Sequence, residues 1–168
     1  MKSVWCNISV PKHRFILWQS VHQKLPTRDL LHHCHMSLPS LVCLICELED
    51  ESHSHIFFEC VFSKRVVQFV FEWLRGLCWP SNFIDWCNWL SADRKSFRDW
   101  ITVAALAASV YHIWYTRNRC YFDSSYLTIC SVVNMIKTSV IARILGLKLR
   151  SKNLSSRTKL KIQFIASL

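Results

Sequence analysis

Four residues in the first half of the chain have the types and the spacing to hold a metal ion: Cys43 and Cys46, then His55, then Cys60, a C-x2-C-x8-H-x4-C array. Thiolate sulfur and neutral imidazole nitrogen are the donors zinc prefers, and a Cys3His set fills its tetrahedral shell without leaving a position for substrate. The implied cofactor is one structural Zn2+ ion. A two-residue spacer lets a single tight turn aim both Cys43 and Cys46 at that ion. The second half of the array is looser, because His53 competes with His55 for the histidine role. Ligand atoms about 2.0–2.3 Å from a shared zinc lie within roughly 4 Å of one another, whereas the residues from His53 to Cys60 would rise about 10.5 Å along a continuous helix. His55 is nearer but rotated off the Cys60 face of an ideal helix. The spacing therefore favours His55, placed at a helix start or a distorted first turn with irregular backbone before Cys60.

The same inventory argues against catalysis. Polymerases and RNase H-type nucleases hold two metal ions with clustered carboxylates, but the acids here are few, and Glu47, Glu49, Asp50 and Glu51 are bunched beside the cysteines. No aspartate pair of the polymerase kind occurs, so no catalytic residue is assigned and no enzyme activity is expected. The run His32-His33-Cys34-His35 is a weaker metal signal and reads as an exposed helix end.

The residues around the array are distinctive. Trp5, Pro11-Lys12, Phe15, Leu17-Trp18 and Leu25-Pro26-Thr27-Arg28-Asp29-Leu30 precede the cysteines, and His55-Ile56-Phe57-Phe58-Glu59-Cys60 closes them. From Trp5 to Trp73 the chain resembles the zinc-binding domain that follows the polymerase in plant non-LTR retrotransposon reverse transcriptases, which also occurs in short free-standing proteins. The segment Tyr111-His112-Ile113-Trp114-Tyr115-Thr116-Arg117-Asn118-Arg119-Cys120-Tyr121-Phe122 is similar to an Ile-Trp-x-x-Arg-Asn-x-x-x-Phe stretch found downstream in the same proteins. The chain is expected to divide into a reverse-transcriptase-type zinc-binding domain over 1–80, which the resemblance implies, a helical extension packed on it over 81–150, and a basic flexible tail over 151–168. Two positions depart from the usual pattern. Val61 replaces a proline after the last cysteine, which would let a helix run on through Cys60, and Thr116 replaces a glutamate that would be an acidic neighbour for Arg117. Ile113, Trp114 and Phe122 are expected to pack the long helix against the zinc-bearing half, with Arg117 and Asn118 satisfying backbone groups near its end.

The elements that must position these residues are helices. With 168 residues, 51% of them hydrophobic and only two glycines, the chain suits one helical core: an all-α, compact multi-helix domain with a structural zinc knuckle in its first half. Apolar residues suit a helix over 13–23, and Thr27 is placed to cap the next by accepting a backbone N–H, with Asp29 near its positive end. Residues 38–50 read as loop and knuckle. Steps of three and four through Phe58, Phe62, Val66, Phe69/Val70 and Trp73 predict a helix over 55–77. Further helices are predicted over 82–90, from Phe97 to about Asn118 behind a Ser96-x-x-Asp99 capping-box-like start, and over 127–149. A membrane span needs about 20 apolar residues, and Arg98, Asp99, Thr102, Ser109, His112 and Arg117 interrupt the run Val103–Ala108, which therefore reads as a core helix. Trp18, Trp73 and Trp114 sit at core spacings.

Nine cysteines would suggest disulfides in a secreted protein, but Asn7, Ser9 and Pro11 break the apolar run after Lys2 that a signal peptide would need. The odd count and the C-x2-C pair fit a reducing compartment, so an intracellular protein, nuclear or cytoplasmic, is expected. Cys6, Cys34, Cys78, Cys87, Cys120 and Cys130 read as packing residues. Formal net charge is +10, and after Asp123 no acid occurs. Lys148, Arg150, Lys152, Arg157, Lys159 and Lys161 concentrate positive charge at that end, a field that attracts phosphate polymers through counterion release. The leading expectation is a non-catalytic module that binds RNA or DNA weakly and without sequence preference, away from membranes. The competing class is a helical protein–protein interaction domain, or a retroelement remnant without selected function.

Overall fold

Helix α5, Phe97–Asp123, is the axis on which the other elements are assembled. The computed structural model describes residues 2–5, 8–75, 80–92 and 96–150, with side chains described for all of these except Lys2, Ser3 and residues 147–150. A 3-10 turn, Lys2–Trp5, leads into α1, Pro11–Val21; then come α2, Arg28–His33, a π-helical turn, His55–Glu59, and α3, Val61–Trp73. The second half holds α4, Phe83–Ser91, then α5, then α6, Ile129–Arg150. Among the described residues there is no strand, and the all-α expectation holds; an isolated antiparallel bridge joins Val42 to Asp50.

Local chemistry accounts for the helix ends. Pro11 opens α1, where its missing N–H leaves no bond unmade. Asn82 caps α4 by accepting from the Asp85 N–H at 2.9 Å. Ser96 and Asp99 form the full capping box, each side chain accepting from the other's backbone N–H. Helix α5 then continues five residues past the expected end to Asp123 and stops at Ser124, which adopts φ 47.

Every residue from Ile101 to Val110 is buried, as expected of a helix apolar on all sides. The small side chains Ala104, Ala105, Ala107 and Ala108 let neighbours approach closely. Helix α5 packs against α1, α3 and α6; α3 also meets α6, and α4 closes over the N-terminal turn and α1. Leu17, Phe57, Val66, Trp86, Leu106, Ile113 and Ile136 belong to one hydrophobic core that draws on both halves of the chain. Full burial of each such aliphatic or aromatic side chain is worth about 1.5–3 kcal/mol. Between α1 and α5, buried His13 stacks on Tyr111 with ring centroids 4.4 Å apart. Its pKa is lowered to about 3, first by burial and then by His112 and Lys12, so the seam contains a neutral ring at physiological pH.

Several expectations are corrected. The predicted helix over 55–77 is two elements, because the backbone turns at Cys60 (ψ 125) before α3 begins; Val61 does not carry the helix through that residue. Thr27 does not cap α2, since its side chain makes no cap hydrogen bond. Phe122 is 73% exposed and packs nothing into the core, whereas Trp18 is half-buried and packs against the core, as its spacing predicts. Cys34 and Cys130 are exposed, Cys120 is buried, and Cys6 and Cys78 lie outside the described residues. By length and composition the stretch Ile129–Gly146 of α6 is apolar enough to cross a membrane, with 28% of it buried. Its buried residues Val132, Ile136, Val140 and Ile144 recur at four-residue steps, the face α6 turns toward α3 and α5.

Trp114 is buried as the sequence predicts, at 5% exposure. Trp114→Ala should cost about 3–5 kcal/mol of unfolding free energy, measured by chemical denaturation of the metal-loaded protein. An unchanged midpoint would place this side chain outside the load of the core.

Candidate metal centre

The knuckle is a short loop whose two arms are pinned to each other. Cys43 N–H donates to the Glu49 carbonyl at 2.7 Å, Glu51 N–H donates to the Leu41 carbonyl at 2.8 Å, and Glu47 N–H closes the turn onto the Cys43 carbonyl at 3.0 Å. Glu47 takes a left-handed conformation, φ 56, which reverses the chain after Cys46. The turn thereby presents the Cys43 and Cys46 sulfurs together.

His55 arrives from the other side. Its N–H donates to Ser52 Oγ at 3.0 Å, and the Cys60 N–H donates to the His55 carbonyl at 2.7 Å, the five-residue bond of a π turn. That wider turn brings together two residues that an α-helix would rotate apart, as the spacing argument required. The potential ligand atoms of Cys43, Cys46, His55 and Cys60 all lie within 4.8 Å of one another. Cys46 Sγ is 3.3 Å from His55 Nε2. Cys43 and Cys60 are fully buried, and a shared ion at zinc–ligand distances of about 2.0–2.3 Å fits this soft, closed donor set.

Electrostatics prepare one sulfur in advance. Cys60 stands immediately before α3, and its pKa is pushed down to about 5, chiefly by the hydrogen bond with Cys43 and further by the Ser63 and Phe62 amides at the helix start. Cys43 is pushed up, by the same hydrogen bond and by burial. A metal bound by both sulfurs would require both as thiolates and would release the proton they share.

His53 is not part of the cluster. Leu25 N–H donates to its Nε2 at 3.2 Å, which leaves the neutral ring's proton on Nδ1, 3.3 Å from Thr27 Oγ1. Burial lowers its pKa and favours this neutral form. The ring fastens the Leu25–Thr27 turn to the knuckle.

Behind the metal ligands lies a residue the sequence reading passed over. Glu51 is completely buried, and its carboxylate accepts from Arg117 Nε at 3.1 Å to each oxygen and from Arg117 Nη2 at 2.6 Å. The same carboxylate accepts the Arg28 N–H at 2.9 Å, capping α2 in place of Thr27. Arg28 Nη1 donates to the Val42 carbonyl at 2.6 Å, directly beside Cys43. The Arg117 guanidinium lies between rings, its Cζ 5.0 Å from the Trp114 centroid and 5.3 Å from that of Tyr121. Arg117 thus does not serve backbone groups near the end of α5, as expected; it reaches the knuckle, and Asn118 Oδ1 accepts from its Nη1 at 3.2 Å. Thr116 instead donates to the His112 carbonyl. A buried carboxylate needs a cation, but nothing in the local sequence links Glu51 to a partner 66 positions away.

The predicted cluster His32-His33-Cys34-His35 is exposed, as expected of a helix end. Lys148 and Arg150 fall on the last turn of α6, with side chains outside the described set. Lys152, Arg157, Lys159 and Lys161 lie outside the described residues altogether.

Residues 1–66 match the family described as zinc-binding in reverse transcriptase. The matched segment contains all four candidate ligands, so sequence family and geometry both support a zinc-binding module in this part of the chain. It is the zinc-binding domain, and not the catalytic domain, of a reverse transcriptase that is recognised here. No curated protein and no solved structure matches the chain.

Elemental analysis of protein purified without chelator should find one zinc per chain, and Cys43→Ser/Cys46→Ser should abolish it; full zinc retention in that variant would remove these residues from the ligand set. Chelation should first raise hydrogen exchange over 38–54, leaving α5 and α6 protected. Arg117→Met strands a buried carboxylate and should destabilise the zinc-loaded protein by about 3–5 kcal/mol. Adding Glu51→Gln, which retains an acceptor for Arg28, should recover part of that loss in urea titrations. A double variant no more stable than Arg117→Met would show that the ion pair is not what couples α5 to the knuckle.

Proposed function

We propose that this chain is a zinc-stabilised, non-catalytic nucleic-acid-binding module derived from a retrotransposon reverse transcriptase of the plant type. The observation that carries the reading is the match of residues 1–66 to a reverse-transcriptase zinc-binding family, superimposed on a closed Cys3His cluster. A closed tetrahedral site supports a fold and leaves no coordination position for a substrate. Away from the knuckle the charge is one-signed over long stretches. No acid occurs in residues 1–28, and none follows Asp123, while formal net charge is +10. Phosphate contacts from Lys148, Arg150, Lys152, Arg157, Lys159 and Lys161 would give affinity with little base preference.

A second reading, a helical protein-interaction domain, draws support from a 620 Å³ groove between α3 and the start of α4. Phe57, Phe58, Val67, Phe71 and Pro80 supply its apolar walls.

The two readings separate on salt dependence. Binding of the zinc-loaded protein to labelled RNA and DNA should be measurable at low salt and fall with a log–log slope of about −0.7 to −0.9 per phosphate contacted. Replacing the six C-terminal cations with glutamine should flatten the slope while zinc content stays at one per chain. Absence of binding at low salt would dismiss the nucleic-acid reading in favour of the protein-interaction one.

A further inference from the structure

The outward side of α1 carries aromatic rings and cations in alternation, and no acid. Phe15 is 50% exposed, and its ring lies 6.1 Å from that of Trp18 at an interplanar angle of 25°. Lys24 Nζ sits 5.5 Å from the Trp18 centroid. On one flank Lys12 Nζ lies 4.8 Å from the Tyr111 centroid of α5, and Tyr111 in turn runs parallel to Tyr115, 8° between planes and 6.3 Å between centroids. Tyr115 is 39% exposed. Lys12 and Phe15 stand three residues apart, one turn along α1, so the α5 tyrosines and the α1 pair form one strip. Buried His13 and Leu17 on the opposite side of α1 hold this orientation.

We propose that this α1–α5 strip is a binding surface for single-stranded nucleic acid, with unpaired bases stacking on Phe15 and Tyr115 and phosphates meeting Lys12 and Lys24. The inference rests on the nucleic-acid reading above but places the contact on the zinc-bearing half and not on the C-terminal cations. Four features select this occupant. The rings are exposed, as stacking platforms must be. They come in near-parallel pairs with cations beside them. Among the described residues neither Lys12 nor Lys24 is paired with a carboxylate. Residues 1–28 and 100–122, which include both sides of the strip, contain no acid, so an acidic protein surface would find cations but no reciprocal partner for its own. A duplex hides its base faces, so a surface of this kind favours a single strand.

The test compares oligo(dT), oligo(rU) and a duplex of equal length, titrated by fluorescence anisotropy into zinc-loaded wild type, Phe15→Ala/Tyr115→Ala, Lys12→Gln/Lys24→Gln and the six-site C-terminal glutamine variant. Circular dichroism and zinc content verify that each is folded. The aromatic variant should lose at least about tenfold in affinity for both single strands and little for duplex. The lysine variant should lower the salt slope by about 0.7 per lysine. If the aromatic variant binds single strands as wild type does while the C-terminal variant does not, this surface is excluded and the nucleic-acid reading survives. If wild type prefers duplex, the stacking role is excluded; if wild type binds none of the three, both the surface and the reading fall.

Discussion

A carboxylate removed entirely from water has to be met by hydrogen bonds and a cation, and Glu51 is met by both from three parts of the chain. Arg117 supplies the charge from α5 and the Arg28 amide supplies a donor from the start of α2, so two of the three parts meet the carboxylate itself; the third contact is to the residue's backbone, where Glu51's own N–H donates to Leu41 across the knuckle. Desolvation offsets much of the attraction in such a pair, so its net worth in stability is small compared with the cost of removing one member. What it contributes is registration. The knuckle can dock on α5 only where the guanidinium, already flanked by Trp114 and Tyr121, finds its carboxylate.

That registration fixes the geometry of the metal ligands indirectly. Arg28 bonds the Val42 carbonyl one residue before Cys43, and His53, two residues before His55, clamps the Leu25–Thr27 turn. These hydrogen bonds hold the turn and the π-helical segment in the orientation that brings the four potential ligand atoms together. Such supporting contacts govern metal affinity nearly as much as the ligands do. A zinc ion held by these four residues would join the loop to the start of α3, where the Cys43 hydrogen bond and then the helix-start amides favour a thiolate at Cys60.

The same packing decides which surface is left outside. Helix α1 buries His13, Leu17, Ser20 and Val21 against its neighbours, so Phe15 and the outer edge of Trp18 face solvent. An aromatic-rich segment that composition alone would assign to the core is thus split. Half supports the fold, and half forms a strip with Lys12, Lys24 and the α5 tyrosines.

Much of the site was legible in the sequence because it depends on local spacing. The C-x2-C turn, the preference for His55 over His53 and the irregular backbone before Cys60 all follow from chain geometry over fewer than twenty residues, and the capping box at Ser96 and the burial of Val103–Ala108 are equally local. The partners of Arg117 were not legible. Its sequence neighbours offered only backbone groups, whereas Glu51 becomes adjacent only after α5 docks on the knuckle. Phe122, expected in the core, faces outward instead, because a local motif places a residue on a helix and tertiary packing decides how much of that helix is covered. Covalent spacing determines where a ligand set can close; only the docked helices determine which buried charge finds its counterion and which aromatic rings remain in water.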